Sequence, residues 1–172
     1  MRICISGFAG CGKNTAGEIV ARKLGLPVVD FTFKSMAAKL GMSLEELQLR
    51  AAKDKNFDLQ LDEMIVKEAS GKDCVVVTWL APWMVKNATL RVWLNCPEKE
   101  RARRVAGREG MDGKAALMHV KKRDRQNIAR YKKVYGIDIT EHGIFDIELN
   151  SDILKPEQIA KMVICAARLR GN

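Results

Sequence analysis

Arg2-Ile3-Cys4-Ile5-Ser6-Gly7-Phe8-Ala9-Gly10-Cys11-Gly12-Lys13-Asn14-Thr15 is the stretch that decides the fold. Arg2 to Ser6 reads as a short buried strand, and a helix from about Asn14 to Leu24 is stopped by Gly25 and Pro27. Between them lies G-x-x-x-x-G-K, in the strand–turn–helix context that gives the pattern meaning. Its glycines let the backbone bend so that successive N–H groups face one anion, and the helix N-terminus adds a positive dipole. Lys13 supplies a full charge able to follow a transferred phosphoryl group. Gly7, Phe8, Ala9, Gly10, Cys11, Gly12, Lys13, Asn14 and Thr15 are therefore candidate phosphate-binding residues, with Lys13 also a candidate catalytic group. The pattern ordinarily places Ser or Thr after the lysine, to ligate Mg2+. Here Asn14 stands there and Thr15 follows. Both are candidate metal ligands, because an amide oxygen also binds a hard cation.

Outward from this motif, strands and helices alternate. Val28–Phe31, Cys74–Trp79, Leu90–Leu94 and Ile144–Leu149 read as further strands. Ser43-Leu44-Glu45-Glu46 is a capping box that opens a helix, and Phe57, Leu61, Met64 and Ile65 recur at helical spacing. Pro97 opens a helix, a long basic helix is predicted over Gly113–Val134, and Pro156 starts a last one with Ile159, Met162, Val163 and Ala166 on one face. This alternation implies a parallel sheet with right-handed crossovers and helices on both faces. Ligands of such sheets bind beyond the carboxyl ends of the strands, so the loops after Ser6, Phe31 and Trp79 should converge.

The chain of 172 residues has the length of one domain. Aromatics are 6% of it, so the core rests on aliphatic and Met side chains. No apolar run reaches the roughly 18 residues that span a bilayer, and the N-terminus lacks a signal-peptide core. A cytoplasmic protein without membrane partners is expected. Five scattered cysteines with no C-x-x-C pair argue against a disulfide framework, and Cys4, Cys74 and Cys165 read as small core residues. Of the formal charge of +9, all of it falls between Arg101 and Lys133, where 12 Lys/Arg face 3 Asp/Glu. Such an arm is either a solvated helix face or a holder of a polyanion. It lacks the interleaved aromatics of a nucleic-acid stacking platform, so a triphosphate is the expected polyanion.

With these residues identified, the chain resembles a nucleoside monophosphate kinase of the P-loop class, and most closely the small cytidylate kinases of archaea. The resemblance is carried by the phosphate loop, Gly41-Met42-Ser43-Leu44-Glu45-Glu46, Leu80-Ala81-Pro82-Trp83-Met84, Arg108-Glu109-Gly110, Arg130-Tyr131 and Tyr135-Gly136-Ile137-Asp138. It implies a three-layer α/β/α fold with a five-stranded parallel sheet, ATP and Mg2+ at Gly7–Thr15, an acceptor-binding helical insertion over about 30–70 and a basic lid over about 104–133. Arg104 and Arg108 best match the lid arginines that close on the triphosphate. Arg123 to Arg130 resembles the family's R-D-x-x-D-x-x-R helix with Asn127 in place of the second Asp, and Arg123, Asn127 and Arg130 share one helix face.

The acceptor side departs further. The arginine expected to grip the acceptor phosphate corresponds to Lys34, which keeps the charge but loses the bidentate fork. The family's E-G-R corresponds to Val77-Thr78-Trp79, so an acid near the metal and a second arginine are replaced, with Trp79 offering a stacking face. Asp54, Asp58 and Asp62 line one helix face; they read either as a solvated stripe or, for Asp58 and Asp62, as contacts to the acceptor. Trp83 and Met84 read as packing residues, and His119 and His142 receive no role. The activity implied is transfer of a phosphoryl group from ATP to a pyrimidine nucleoside monophosphate, CMP or dCMP, by a monomer or weak homodimer. A nucleotide-binding protein without transfer, motivated by Asn14, Val77 and Trp79, and a kinase with a changed acceptor are the alternatives.

Overall fold

The computed structural model describes residues 1–30, 33–53 and 56–171, with the side chains of 33–35, 39, 44, 48, 51–53, 56–58 and 61 outside the description. Five strands form one parallel sheet in the order β2-β3-β1-β4-β5: β1 (Arg2–Ser6), β2 (Val28–Val29), β3 (Cys74–Val77), β4 (Leu90–Asn95) and β5 (Ile147–Asn150). This is the expected fold class. The period of two along each strand sends alternate side chains to opposite faces. Ile3, Ile5, Val75 and Val77 join Val20, Ile159 and Val163 in the core under α1 (Lys13–Leu24) and α8 (Pro156–Arg170). Cys4, Cys74 and Val76 face the other way, onto Ile65 of α4 (Asn56–Ala69) and Ala81 of α5 (Ala81–Met84). Sequentially, α2 (Phe33–Leu40) and α3 (Leu44–Lys53) precede α4, and α6 (Glu98–Glu109) and α7 (Gly113–Tyr135) run between β4 and β5.

Local signals explain the boundaries. Ser43 Oγ accepts the Glu46 amide at 3.0 Å, the N-cap bond that starts α3 where the sequence places it. Asp112 caps α7 through the amides of Lys114 and Ala115. Three strands differ from expectation. Strand β3 stops at Val77 because Thr78 Oγ1 accepts the Ala81 amide at 2.9 Å and turns the chain into α5. Strand β5 starts three residues late: Phe145 N bonds back to His142 O in a turn, and pairing with β4 begins only at Ile147 opposite Val92. Strand β2 is two residues long, and Phe31 lies outside the described residues. Helix α2 lies within the helical insertion that the resemblance implies over about 30–70, whereas α5 has no counterpart among the expected elements.

Cys4 and Cys74 are core residues as expected, but Cys165 is exposed and Met162 is 46% exposed on α8. Ala160, Val163 and Ala167 form that helix's buried stripe with Ile159, so the apolar face is turned by one residue toward the small side chains. Trp83 packs edge-on against Phe145, the packing role read for it. His142 has partners that the sequence hid: its ring lies 4.3 Å from that of Trp93, and Nδ1 is 3.2 Å from Glu148 Oε2.

Candidate active site

Strand β1 is central, and its carboxyl end releases the chain into Gly7–Gly12 beside the ends of β3 and β4. Two glycines are required by geometry. Gly7 has φ 150°, and a Cβ there would lie 2.6 Å from both Cys11 Sγ and Leu94 O. Gly10 has φ 79°, and a Cβ there would lie 2.7 Å from the carbonyl oxygen of Arg101. The loop is thus seated directly on β4 and on the start of α6. Gly12 caps α1, whose first turn carries Lys13, Asn14 and Thr15.

Lys13 is buried, with its Nζ 5.1 Å from the centre of the Trp79 ring and 3.5 Å from Phe8 O. Burial pushes its pKa below the ordinary lysine value, and the nearby Arg123 and Arg108 add to the effect. Ser6 Oγ donates to Trp79 O at 2.8 Å, which ties the turn after β3 to the base of the phosphate loop. The Trp79 ring is held edge-on to Phe8 and tilted against Tyr131.

Above the loop is a cavity of about 540 Å3. It brings together Ala9, Gly10, Gly12, Lys13, Asn14, Thr15 and Trp79 with Arg104 and Arg108 of α6 and Arg123 of α7. Among the described residues four cations line it and no carboxylate does. Such a concave, positive recess over backbone amides is complementary to a polyphosphate. Arg104 is held in place by Glu100 Oε1 at 2.9 Å and by Ser151 O at 2.7 Å, while Arg108 pairs with Glu109. Hydrogen bonds from Arg103 and then Arg104 hold the Glu100 carboxyl down at about 2, so it stays ionised as their anchor.

A second cavity of about 390 Å3 shares Gly12, Thr15 and Arg104 with the first and extends along Ser151–Pro156 to Ile159. Ser151 Oγ donates to Cys11 O at 2.8 Å, fastening this loop to the phosphate loop. The sequence reading missed this wall. Only the position of Ser151 just past the last strand signalled it. Cys11 is buried and lines this cavity rather than the first.

The remaining predicted residues lie further along α7. Arg130 Nη2 donates to Asp62 Oδ2 at 3.2 Å, and the Tyr135 hydroxyl donates to the same oxygen at 2.6 Å. Asn127 is half-buried between Arg123 and Arg130. One helix therefore reaches from the phosphate cavity to α4, as the shared face of 123, 127 and 130 requires. The side chains of Lys34 and Asp58 and the whole of Asp54 lie outside the described residues.

A parallel sheet whose first strand feeds a glycine-rich anion loop, with a lysine at the helix start and arginines above it, defines the class of P-loop kinases. Solved structures agree on the fold. A shikimate kinase from Bacteroides thetaiotaomicron superposes with a TM-score of 0.65 at 20% identity, covering 100% of this chain and 99% of that one. An uncharacterized protein from Eubacterium ventriosum reaches a TM-score of 0.73 at 18% identity over 98% of both chains. Among sequence relatives, the cytidylate kinase of Pyrococcus horikoshii is 39% identical over 166 residues, 95% of this chain and 86% of the relative. That of Archaeoglobus fulgidus is 36% identical over 176 residues, 99% of this chain and 96% of the relative. Residues 2–69 and 50–153 match the cytidylate kinase-like family. The chain belongs to that family, and its class of chemistry is phosphoryl transfer to a nucleoside monophosphate.

Proposed function

We propose that the protein transfers the γ-phosphoryl group of ATP to a pyrimidine nucleoside monophosphate, CMP or dCMP, giving the diphosphate and ADP. The observation that carries this reading is the pair of joined cavities. One is lined by Lys13, Arg104, Arg108 and Arg123, with no carboxylate among the described residues, and the other is an adjoining recess of about 390 Å3 along Ser151–Pro156. A triphosphate lies along the first with its nucleoside in the second. The acceptor enters from the side of Trp79, Asp62 and Arg130, over the region of about 30–70 that includes Lys34 and Asp58. The choice of a pyrimidine acceptor is supported by the cytidylate kinases to which the chain is similar.

Transfer of this kind demands alignment and charge neutralisation more than covalent chemistry. The loop amides hold the β- and γ-phosphates, and Lys13 follows the moving group. Arg108 and Arg123, on the lid formed by α6 and α7, balance the charge that develops on it. Trp79 walls the reacting centre with an apolar face and keeps water from competing with the acceptor. Asp62 holds Arg130 and Tyr135 together at the acceptor side, so all three present one fixed polar surface.

Mg2+ fits this site. The oxygen donors beside Lys13 are the Asn14 amide and the Thr15 hydroxyl, both lining the phosphate cavity. Among the described residues no cluster of three His, Cys, Asp or Glu competes for a metal. Such a sparse hard-oxygen set suits an ion that keeps waters and phosphate oxygens as its other ligands. When bound, Mg2+ supplies neutralisation of the triphosphate oxygens.

A second reading, nucleotide binding without transfer, draws on Val77. This residue is buried where the resemblance places an acid, so β3 ends without a carboxylate. An ADP-release assay over a panel of nucleoside monophosphates tests both. Turnover with CMP and dCMP above AMP, GMP and UMP is expected. ATP binding without acceptor-stimulated turnover, across several divalent metals, overturns the first reading and favours the second.

A further inference from the structure

Arg101 is 5% exposed and Asp124 is 8% exposed, and neither belongs to the cavities described above. Arg101 sits in the first turn of α6, and all its bonds point inward. Nε donates to Cys96 O at 3.1 Å, and Nη1 donates both to Ala9 O at 3.0 Å and to Asp124 Oδ2 at 2.8 Å. Its guanidinium carbon lies 5.3 Å from the centre of the Phe8 ring, and its carbonyl oxygen is the atom that excludes a Cβ at Gly10. One residue thus meets Phe8, Ala9 and Gly10 in turn. Asp124 comes from α7, at the loop end of the seam where Ala102 and Val105 pack on Ala116 and Val120.

A trans peptide is planar, with its C=O and N–H on opposite sides. Holding the Ala9 carbonyl toward Arg101 therefore turns the Gly10 N–H the other way, and Gly10 lines the phosphate cavity. The guanidinium can stay there only because a carboxylate compensates it, since an isolated buried charge is strongly destabilising. Burial pushes the Asp124 carboxyl up, and the Arg101 charge opposes this. Its Oδ1 has no hydrogen-bond partner among the described residues, and the carboxylate is held by Arg101 and by the backbone N–H of Ala9. The neighbouring residue, Arg123, lines the cavity. Fixing Asp124 against the loop thereby fixes the rotation of α7 that presents Arg123.

We infer that Arg101 and Asp124 are positioning residues: their buried ion pair sets the orientation of the Ala9–Gly10 peptide, and with it a phosphate-binding amide, while locking α7 in register with the phosphate loop. The inference rests on the loop as a polyphosphate site and not on the identity of the acceptor.

Arg101→Lys keeps the charge and loses the fork, Asp124→Asn keeps the shape and loses the charge, and Asp124→Glu keeps the carboxylate. Amide exchange of Gly10 and Cys11 is measured in the ligand-free proteins alongside that of Ile3 and Val92 in the sheet. Binding of inorganic tripolyphosphate is measured by calorimetry. Arg101→Lys and Asp124→Asn are expected to speed exchange in the loop but not in the sheet, and to weaken tripolyphosphate binding about 10-fold, the effect of one charged hydrogen bond. Asp124→Glu is expected to recover most of that loss. In turnover, kcat falls while the acceptor KM holds. Loop exchange and binding equal to wild type overturn the inference. So does exchange that rises equally in loop and sheet, or failure of both Arg101→Lys and Asp124→Asn to fold, because the pair is then general core support. If the wild-type protein binds tripolyphosphate yet turns over no monophosphate, the proposed function falls and this inference stands.

Discussion

Gly17 on α1 faces Val77 at the end of β3 with no room for a methyl group: a Cβ on Gly17 would lie 2.3 Å from Val77 Cγ2. This close approach seats the first turns of α1 on the sheet and brings Lys13 down beside Trp79. Gly17→Ala should gain about 1 kcal/mol of helix propensity and still lose stability. The overpacking it forces costs about 1–3 kcal/mol, because a β-branched valine cannot swing away. Urea denaturation should show Gly17→Ala less stable than wild type, and Val77→Ala in the same chain should recover part of the loss. Equal midpoints for Gly17→Ala and wild type would show that the gap yields freely.

Lys13 should trade stability for activity. Its folded pKa lies below the ordinary 10.5, so between those two values the unfolded chain binds more protons and stability rises with pH. Below that window the cost of burying the ammonium is fully present. Lys13→Met should therefore melt higher than wild type at neutral pH, with the difference closing as pH rises toward 10.5. Phosphoryl transfer should fall by on the order of 10²–10³. A variant that is less stable at pH 7, or that keeps its turnover, contradicts this account.

Asn14 occupies the position where the sequence pattern ordinarily has a hydroxyl. Asn14→Ser should lower the Mg2+ concentration for half-maximal rate by about tenfold, equivalent to about 1.4 kcal/mol of ligation, and Asn14→Ala should raise it. Rates titrated against Mg2+ at saturating nucleotide provide the check. No response to either change would remove Asn14 from the metal site.

Tyr135→Phe deletes the 2.6 Å bond to Asp62, which is 8% exposed. Burial and the Asp62 carboxylate both raise the pKa of the Tyr135 hydroxyl, so it donates as the neutral phenol at all ordinary pH. Losing it should cost about 1–3 kcal/mol of stability. The acceptor KM should rise while the KM for ATP holds, since the bond joins α7 to α4 away from the phosphate cavity. Parallel changes in both KM values would place the network in the nucleotide site instead.

Much of this was legible because it is local. Gly7–Thr15 carries its own geometry: a strand, glycines where a Cβ cannot fit and a lysine at the helix start. Periodicity found β1, β3, β4 and the long helix α7, and it placed Arg123 and Arg130 on one face. It failed where a side chain closed a turn early, as Thr78 did after β3, and where a turn delayed pairing, as at His142–Phe145 before β5. It also misjudged α8, because a stripe of Ala160, Val163 and Ala167 is buried by close approach to α1 and not by side-chain size.

The order of residues by itself determined the parallel architecture, the anion loop and the positive arm, since each follows from propensity, spacing or charge along a few consecutive positions. Only the folded chain decided which distant groups meet: Trp79 over Lys13, Ser151 on Cys11, Asp62 between Arg130 and Tyr135, and Arg101 against Asp124 under Ala9. Those pairings join residues up to 140 positions apart, and no short-range preference encodes them. They exist because strand order and helix packing bring separate loops to one end of the sheet.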